Sequence, residues 1–253
     1  MLLALDVGNT NVTIGVFDGL RVITSWRLQT DRGQTADEWG IKLRQLLSME
    51  GLTLDQVQRM GISSVVPAVD EPLARMSRRY FSREPMFVSA EAKLGITVDV
   101  DNPREVGADR LANAAAAAEL HGAPCVVVDL GTAVNFDVVS AERAFVGGLI
   151  SPGIGMSISG LYQKTARLPM VDFRPPRALI GRNTVDCIHS GLFHSITGGI
   201  DAILDRLLGE LGAGTRIVAT GGQAEMIASA SRHIRNVDPD LTLKGVALVA
   251  QWN

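Results

Sequence analysis

The chain has 253 residues, 46% of them hydrophobic, which is enough for one large or two small domains with a real core and too apolar for disorder. Lys and Arg total 24 against 27 Asp and Glu, so a formal net charge of -3 leaves no global positive field for nucleic acid or an anionic membrane. Two cysteines, Cys125 and Cys187, make no disulfide framework and no zinc-ligand spacing, so both are expected as core thiols in a reducing cytoplasm.

In chain order, the N-terminal run lacks a positive flank and is too short for a signal peptide or membrane span, and no other run is long enough. Residues 2–5 instead predict a strand that ends in Asp6-Val7-Gly8-Asn9-Thr10 and returns through alternating Val12, Ile14 and Val16 to a turn at Asp18-Gly19. Residues 21–28 alternate as a third strand. Thr35-Ala36-Asp37-Glu38 reads as a capping box opening a helix whose apolar stripe is Trp39, Leu43, Leu46 and Leu47. A buried strand at 57–66, stopped by Pro67, precedes a helix at 71–80 whose basic pair Arg78-Arg79 is a solvated face. Residues 110–120 contain five successive alanines, the strongest helix propensity in the chain, and are expected to join two lobes.

From residue 125 the pattern restarts, with a strand at 125–128, the loop Asp129-Leu130-Gly131-Thr132-Ala133 and a return strand at 136–139. Helices at 157–164 and 183–208, a strand at 216–219, the turn Thr220-Gly221-Gly222 and a last helix near 246–252 follow. The repeat predicts an α/β chain of two duplicated β-β-β-α-β-α lobes, with mixed sheets, flanking helices and an active-site cleft between them. The lobes are expected at residues 1–117 and 118–253, with the C-terminal helix free to pack on either.

In the first loop a carboxylate stands at a strand end before a turning glycine and a row of hydroxyl and amide donors. That combination suits Asp6 holding Mg²⁺ on a nucleotide phosphate while Gly8, Asn9, Thr10, Asn11, Val12 and Thr13 supply hydrogen bonds. An ordinary hairpin with Asx-type turns is the alternative for one such loop, and the second copy at Asp129 shifts the balance toward phosphate held between two hairpins. Gly221 and Gly222 at a strand-to-helix turn let backbone approach a ligand closely. No P-loop and no strand-linked GxGxxG is present. Asp109, in Gly107-Ala108-Asp109-Arg110, is either a helix cap paired with Arg110 or a base accepting a substrate hydroxyl proton while Arg110 binds a carboxylate.

With these loops the chain resembles the type III pantothenate kinases, also named for the Bvg accessory factor, which have an actin-like ATPase fold of two RNase H-like lobes. The resemblance covers essentially the whole chain. Its blocks are Asp6-Val7-Gly8-Asn9-Thr10 with Gly15; Asp101-Asn102-Pro103-Arg104-Glu105-Val106 running into 107–110; Asp129-Leu130-Gly131-Thr132 with Asp137; and Gly147 through Pro152-Gly153. Gly181-Arg182-Asn183-Thr184 with Ser190-Gly191, Thr220-Gly221-Gly222 and 238–244 complete it.

The resemblance implies a cytoplasmic homodimer that phosphorylates pantothenate with ATP and Mg²⁺, the first step toward coenzyme A. It implies ATP contacts from Asp6, Val7 and the rest of 6–13, from Thr132, and from Gly221 and Gly222. Asp109 is the implied proton acceptor, and Gly107, Ala108, Asp109 and Arg110 the implied pantothenate contacts. Thr184 is implied to reach pantothenate across the dimer interface, and Asp129 to hold K⁺ or NH4⁺. On residue chemistry alone Asp129 equally suits a second Mg²⁺. Family members often carry Tyr before Asp-Asn-Pro, against pantothenate, where this chain has Val100, expected as a strand residue lacking the phenolic hydrogen bond. His194-Ser195 is a second departure, with His194 expected to pack rather than act as a base. Rival readings are a same-fold kinase with another small hydroxy-acid acceptor and a non-catalytic ATP-binding regulator.

Overall fold

The computed structural model describes residues 1–165 and 167–253. Alternation of apolar residues drives the first three strands, β1 (Leu2–Val7), β2 (Asn11–Asp18) and β3 (Arg21–Gln29), into antiparallel hairpins. Gly19 takes φ +61° at the second turn, where a side chain would be strained. Helix α1 (Ala36–Met49) starts at the capping box, with the Glu38 N–H donating to Thr35 Oγ1 at 3.3 Å and the Thr35 N–H to Glu38 Oε2 at 2.8 Å. Its buried Trp39, Leu43 and Leu47 each contribute roughly 1.5–3 kcal/mol of burial.

Strand β4 (Arg59–Ser64) lies parallel to β1. Helix α2 (Asp70–Met76) then runs into a single π turn to Phe81 and short β5 (Met86–Phe87). Arg78 pairs with Glu84 and Arg79 with Asp37 in the open, the solvated face expected. Short β6 (Thr97–Val98) and a 3₁₀ turn at Pro103–Glu105 lead to α3 (Ala108–Leu120). Strand order in this sheet is β3-β2-β1-β4-β5.

The second sheet repeats that pattern. β7 (Cys125–Leu130), β8 (Ala133–Val139) and β9 (Ala144–Pro152) form the antiparallel meander, and β10 (Arg216–Thr220) and β11 (Asn236–Val237) add in parallel. Their order, β9-β8-β7-β10-β11, is that of the first sheet, strand for strand. The stretch from Gly147 to Pro152 is thus strand, and Gly153 follows it as the N-cap of the next helix. Helices α4 (Ile154–Lys164), α5 (Thr184–Leu211) and the short α6 (Ala224–Ala228) belong to this half.

Two compact units result, Met1–Leu120 with Asp240–Asn253, and His121–Pro239. The C-terminal helix α7 (Leu241–Trp252) therefore belongs to the first unit, where Gly15, Ala4 and Gly61 form a row of small residues that admits Leu243, Val246 and Ala250. Across it Gly245 meets the Ala112 backbone so closely that no Cβ fits. The alanine-rich α3 is accordingly a core helix of the first unit rather than a connector, with residues 111–118 all buried against α7 and the sheet. The opposite sheet face is filled by Leu3, Leu5, Val7, Val12 and Ile14 under α1 and α2. Among the described residues no helix is long and apolar enough to cross a membrane.

Candidate active site

The end of β1 is polar for a positional reason. Even-numbered residues of the strand face α3 and α7, and at Asp6 that face has run past the apolar rows beneath α7. Ser63, its neighbour on β4, donates to Asp6 Oδ1 at 3.1 Å. The loop beyond is held by its own backbone and by the end of β3. The Gly8 N–H donates to the Asn11 carbonyl at 2.9 Å, Thr30 Oγ1 to the Gly8 carbonyl at 2.6 Å, and the Thr30 N–H to the Thr10 carbonyl at 3.0 Å. Arg32 donates to Asn9 Oδ1 at 3.1 Å. Asn9 and Thr10 remain exposed at the tip, whereas the Val7 and Val12 side chains are fully buried, so only their main chain is open to a ligand. Sequence reasoning missed Thr30 and Arg32, because nothing local shows that a strand end some twenty residues away closes over this hairpin.

Asp109 is the second residue of α3, and its Oδ1 accepts the Arg110 N–H at 2.8 Å. A Cβ on Gly107, two residues earlier, would lie 2.5 Å from that oxygen, so a side chain there would push the Asp109 carboxylate aside. Burial pushes the Asp109 carboxyl above the usual aspartate range, while the Arg110 N–H and guanidinium charge pull the other way. Gly107 sits beside Val65, which follows β4 and whose N–H donates to the Val7 carbonyl at 3.0 Å. Asp109 therefore starts its helix at the same end of the first sheet as Asp6, on the face that α3 covers. Val100 is half-buried in a bend just past β6 rather than in a strand, because the strand ends at Val98.

In the second unit Asp129 occupies the position of Asp6, next to last in its strand and paired with Asn135 and Thr220. Thr132 is exposed, and the Gly131 N–H donates to the Ala133 carbonyl at 3.0 Å. Two glycines close on this loop. Gly221, at φ +95°, would bring a Cβ within 2.6 Å of the Leu130 carbonyl oxygen, and Gly153, N-cap of α4, presses on the Thr132 carbonyl. The structure thus gathers Asp129, Gly131, Thr132, Gly153 and Gly221 into one backbone-rich cluster, with Gly222 exposed beside it. The helix after Gly222 has only 5 residues, so glycine main chain rather than a helix dipole is what that turn offers.

Thr184, first residue of α5 behind the Asn183 cap, is elsewhere in this unit. It lines a groove of about 490 Å³ between α4 and α5 with Ser157, Leu161, Cys187 and Leu192. Cys187 is exposed there, not a core thiol, since the outer face of α5 carries it; Cys125 is buried in β7, which pushes its thiol up to about 12. His194 lies exposed, edge-on to Phe193 at 5.6 Å. The buried histidine is His189, which the sequence did not single out. Its Nε2 lies 3.1 Å from Asp172, and Arg174 Nε donates to its Nδ1 at 3.4 Å, fastening that segment to α5.

Two sheets of one strand order, each ending its first strand in an Asp-x-Gly hairpin, define an α/β protein with the actin-like fold of two RNase H-like units. Solved structures share the fold, among them a Baf family protein from Campylobacter jejuni (TM-score 0.60, 20% identity, covering 98% of this chain and 97% of that one). Another is the 2-hydroxyisocaproyl-CoA dehydratase activator from Clostridium difficile with bound ADPNP (TM-score 0.58, 11% identity, 98% and 93%). The chain belongs to the type III pantothenate kinase family, whose model matches residues 2–206. Relatives bearing that name include those of Solibacter usitatus, 51% identical over 100% of this chain and 97% of its own length, and Myxococcus xanthus, 46% identical over 98% and 97%.

Proposed function

We propose that this protein transfers the γ-phosphoryl group of ATP to the primary hydroxyl of pantothenate, the first step of coenzyme A biosynthesis, in the cytoplasm and as a homodimer. The observation that carries the proposal is Asp109: a carboxylate at a helix start, made more basic by burial, at the sheet end that also holds Asp6. A carboxyl with a raised pKa is the better acceptor for a hydroxyl proton near neutral pH. Arg110 beside it offers a planar fork for the substrate carboxylate. The first hairpin presents Gly8, Asn9 and Thr10 to phosphate oxygens, and phosphoryl transfer asks mainly for such positioning and charge neutralisation.

Among the described residues no three His, Cys, Asp or Glu side chains are grouped to hold a metal. This suits Mg²⁺, which is commonly bound by one or two carboxylates together with substrate phosphates, so Asp6 fits that role. Mg²⁺ supplies neutralisation of phosphate charge when bound. Asp129, with the carbonyls of its loop, offers the hard oxygen donors that K⁺ or NH4⁺ requires. Thr132, Gly221 and Gly222 complete the nucleotide contacts, and Thr184 serves pantothenate in the dimer. Val100 leaves the pantothenate wall without a hydroxyl donor.

ADP release measured with ATP, Mg²⁺ and pantothenate, in K⁺, NH4⁺ and Na⁺ buffers beside an Asp109→Asn control, tests this. Pantothenate-dependent turnover, stimulated by K⁺ and lost in the control, is expected. Turnover with a different hydroxy acid would reassign the acceptor, and folded protein that binds ATP without turnover would overturn the catalytic reading.

A further inference from the structure

Rows of residues that pair across a sheet share a face, and the row through Asp6 is polar throughout. Asp6 pairs with Thr13 on one side and Ser63 on the other, and Thr13 pairs in turn with Arg27 on β3. The row below it, Ser25, Gly15, Ala4 and Gly61, is small and lies under α7, whereas Trp26 and Leu28 pack on the other face. Arg27 is therefore on the face of Asp6, two strand spacings or roughly 10 Å away, a span that an arginine stem and fork largely cover. The side chain is exposed, and it makes no hydrogen bond or ion pair among the described residues.

The duplication supplies an internal control. In the second unit Asp129 pairs with Asn135, and Asn135 with Ile150, so the counterpart of Arg27 is an isoleucine. The fold accordingly does not require a cation at this place; the first unit alone carries one. We infer that Arg27 is a phosphate-binding residue, its guanidinium lying over Thr13 to donate a forked pair of hydrogen bonds to the nucleotide phosphate held at the Gly8 to Thr10 hairpin. The inference rests on the nucleotide reading of that hairpin. It supplies on a β3 edge the positive charge that other phosphate loops take from a lysine, and a fork matches phosphate oxygens better than a point charge.

Calorimetric binding of MgATP, MgADP and adenosine to the wild type, Arg27→Ala, Arg27→Lys and the same-strand control Arg21→Ala tests it. Arg27→Ala should weaken MgATP roughly tenfold to a hundredfold, the worth of one charge-assisted contact. It should leave adenosine affinity and the melting temperature unchanged, since β3 is an edge strand and the residue is exposed. Arg27→Lys should recover part of the loss, and Arg21→Ala should bind MgATP as the wild type does. Folded Arg27→Ala binding MgATP like the wild type would overturn the role of Arg27 while leaving the nucleotide site intact. A wild type that binds no MgATP would sink both.

Discussion

Replacing Gly221 by alanine probes the junction on which the second loop depends. The residue holds φ +95°, and a methyl would lie 2.7 Å from the Leu130 carbonyl carbon and 2.8 Å from its nitrogen. Carbon atoms in ordinary contact stay about 3.5 Å apart, so the methyl overlaps main chain by about 0.8 Å, and main chain cannot rotate away as a side chain tip can. A left-handed non-glycine residue costs about 1–2 kcal/mol and overpacking about 1–3, so the variant should lose roughly 2–5 kcal/mol. At about 2–4 °C per kcal/mol for a chain of this size, the melting temperature should fall by roughly 4–20 °C. The main chain pushed aside lies between Asp129 and Gly131, and on the proposed function a displacement near 1 Å there should cost on the order of 10²-fold in kcat/KM. Differential scanning calorimetry and steady-state kinetics with varied ATP read both effects. Gly199→Ala is the matched control: it lies within α5 with nothing within 4 Å of the new methyl and should gain up to about 1 kcal/mol. Wild-type melting and wild-type kcat/KM in Gly221→Ala would refute the close approach and its importance.

Asp109→Asn should lower kcat about 10²–10⁴-fold while retaining nucleotide binding. Because burial raises the folded-state pKa of this carboxyl, its contribution to stability is full below the ordinary value of 3.8 and is lost as pH rises through the raised one. The Asn variant should therefore melt above the wild type at neutral pH, with the gap closing in acid, and the wild-type kcat/KM profile should fall on an acid limb centred above 3.8. Thr30→Val removes the hydrogen bond to the Gly8 carbonyl and should raise the KM for ATP about two- to tenfold with little change for pantothenate, readable from paired substrate titrations. Thr35→Ala breaks the capping box and should cost about 1 kcal/mol in a melting experiment while activity stays at wild type.

What the sequence made legible was local. The hairpin at Asp6 and the capping box at Thr35 rest on short-range alternation and fixed spacing, and both form where expected. The strand character of residues 144–152 was hidden by Gly147 and Gly148, which weaken any alternation signal. The home of α7 was undetermined because its residues are apolar all round, and what decides it is the matching of Gly245 to Ala112 and of Leu243 and Val246 to Gly15 and Gly61, contacts between segments far apart in the chain. Thr30, Arg32 and His189 share that difficulty. Each is an ordinary polar residue in its own element and gains a role only from a tertiary neighbour.

The repeat carries information beyond the fold, since each unit reports which features the architecture itself demands. An aspartate next to last in the first strand, and a glycine closing the loop after it, occur in both units and follow from the same hairpin geometry. The loops then diverge: the first has the exposed Asn9 and Thr10 braced by Thr30 and Arg32 just past β3, the second is a residue shorter and braced by the glycine that caps α4 and by the one in the turn after β10. Bracing by side-chain hydrogen bonds leaves a loop able to adjust its donors, whereas bracing by glycine contact fixes main chain at close range. On the proposed function, the first bracing suits a loop that admits and releases a nucleotide, and the second suits a loop whose preset main chain meets both the nucleotide and a monovalent cation. On that reading, substituting the braces should separate two effects: Thr30→Val should act on the KM for ATP alone, whereas Gly153→Ala or Gly221→Ala should also change the response to K⁺, and an equal K⁺ response in all three would refute the distinction.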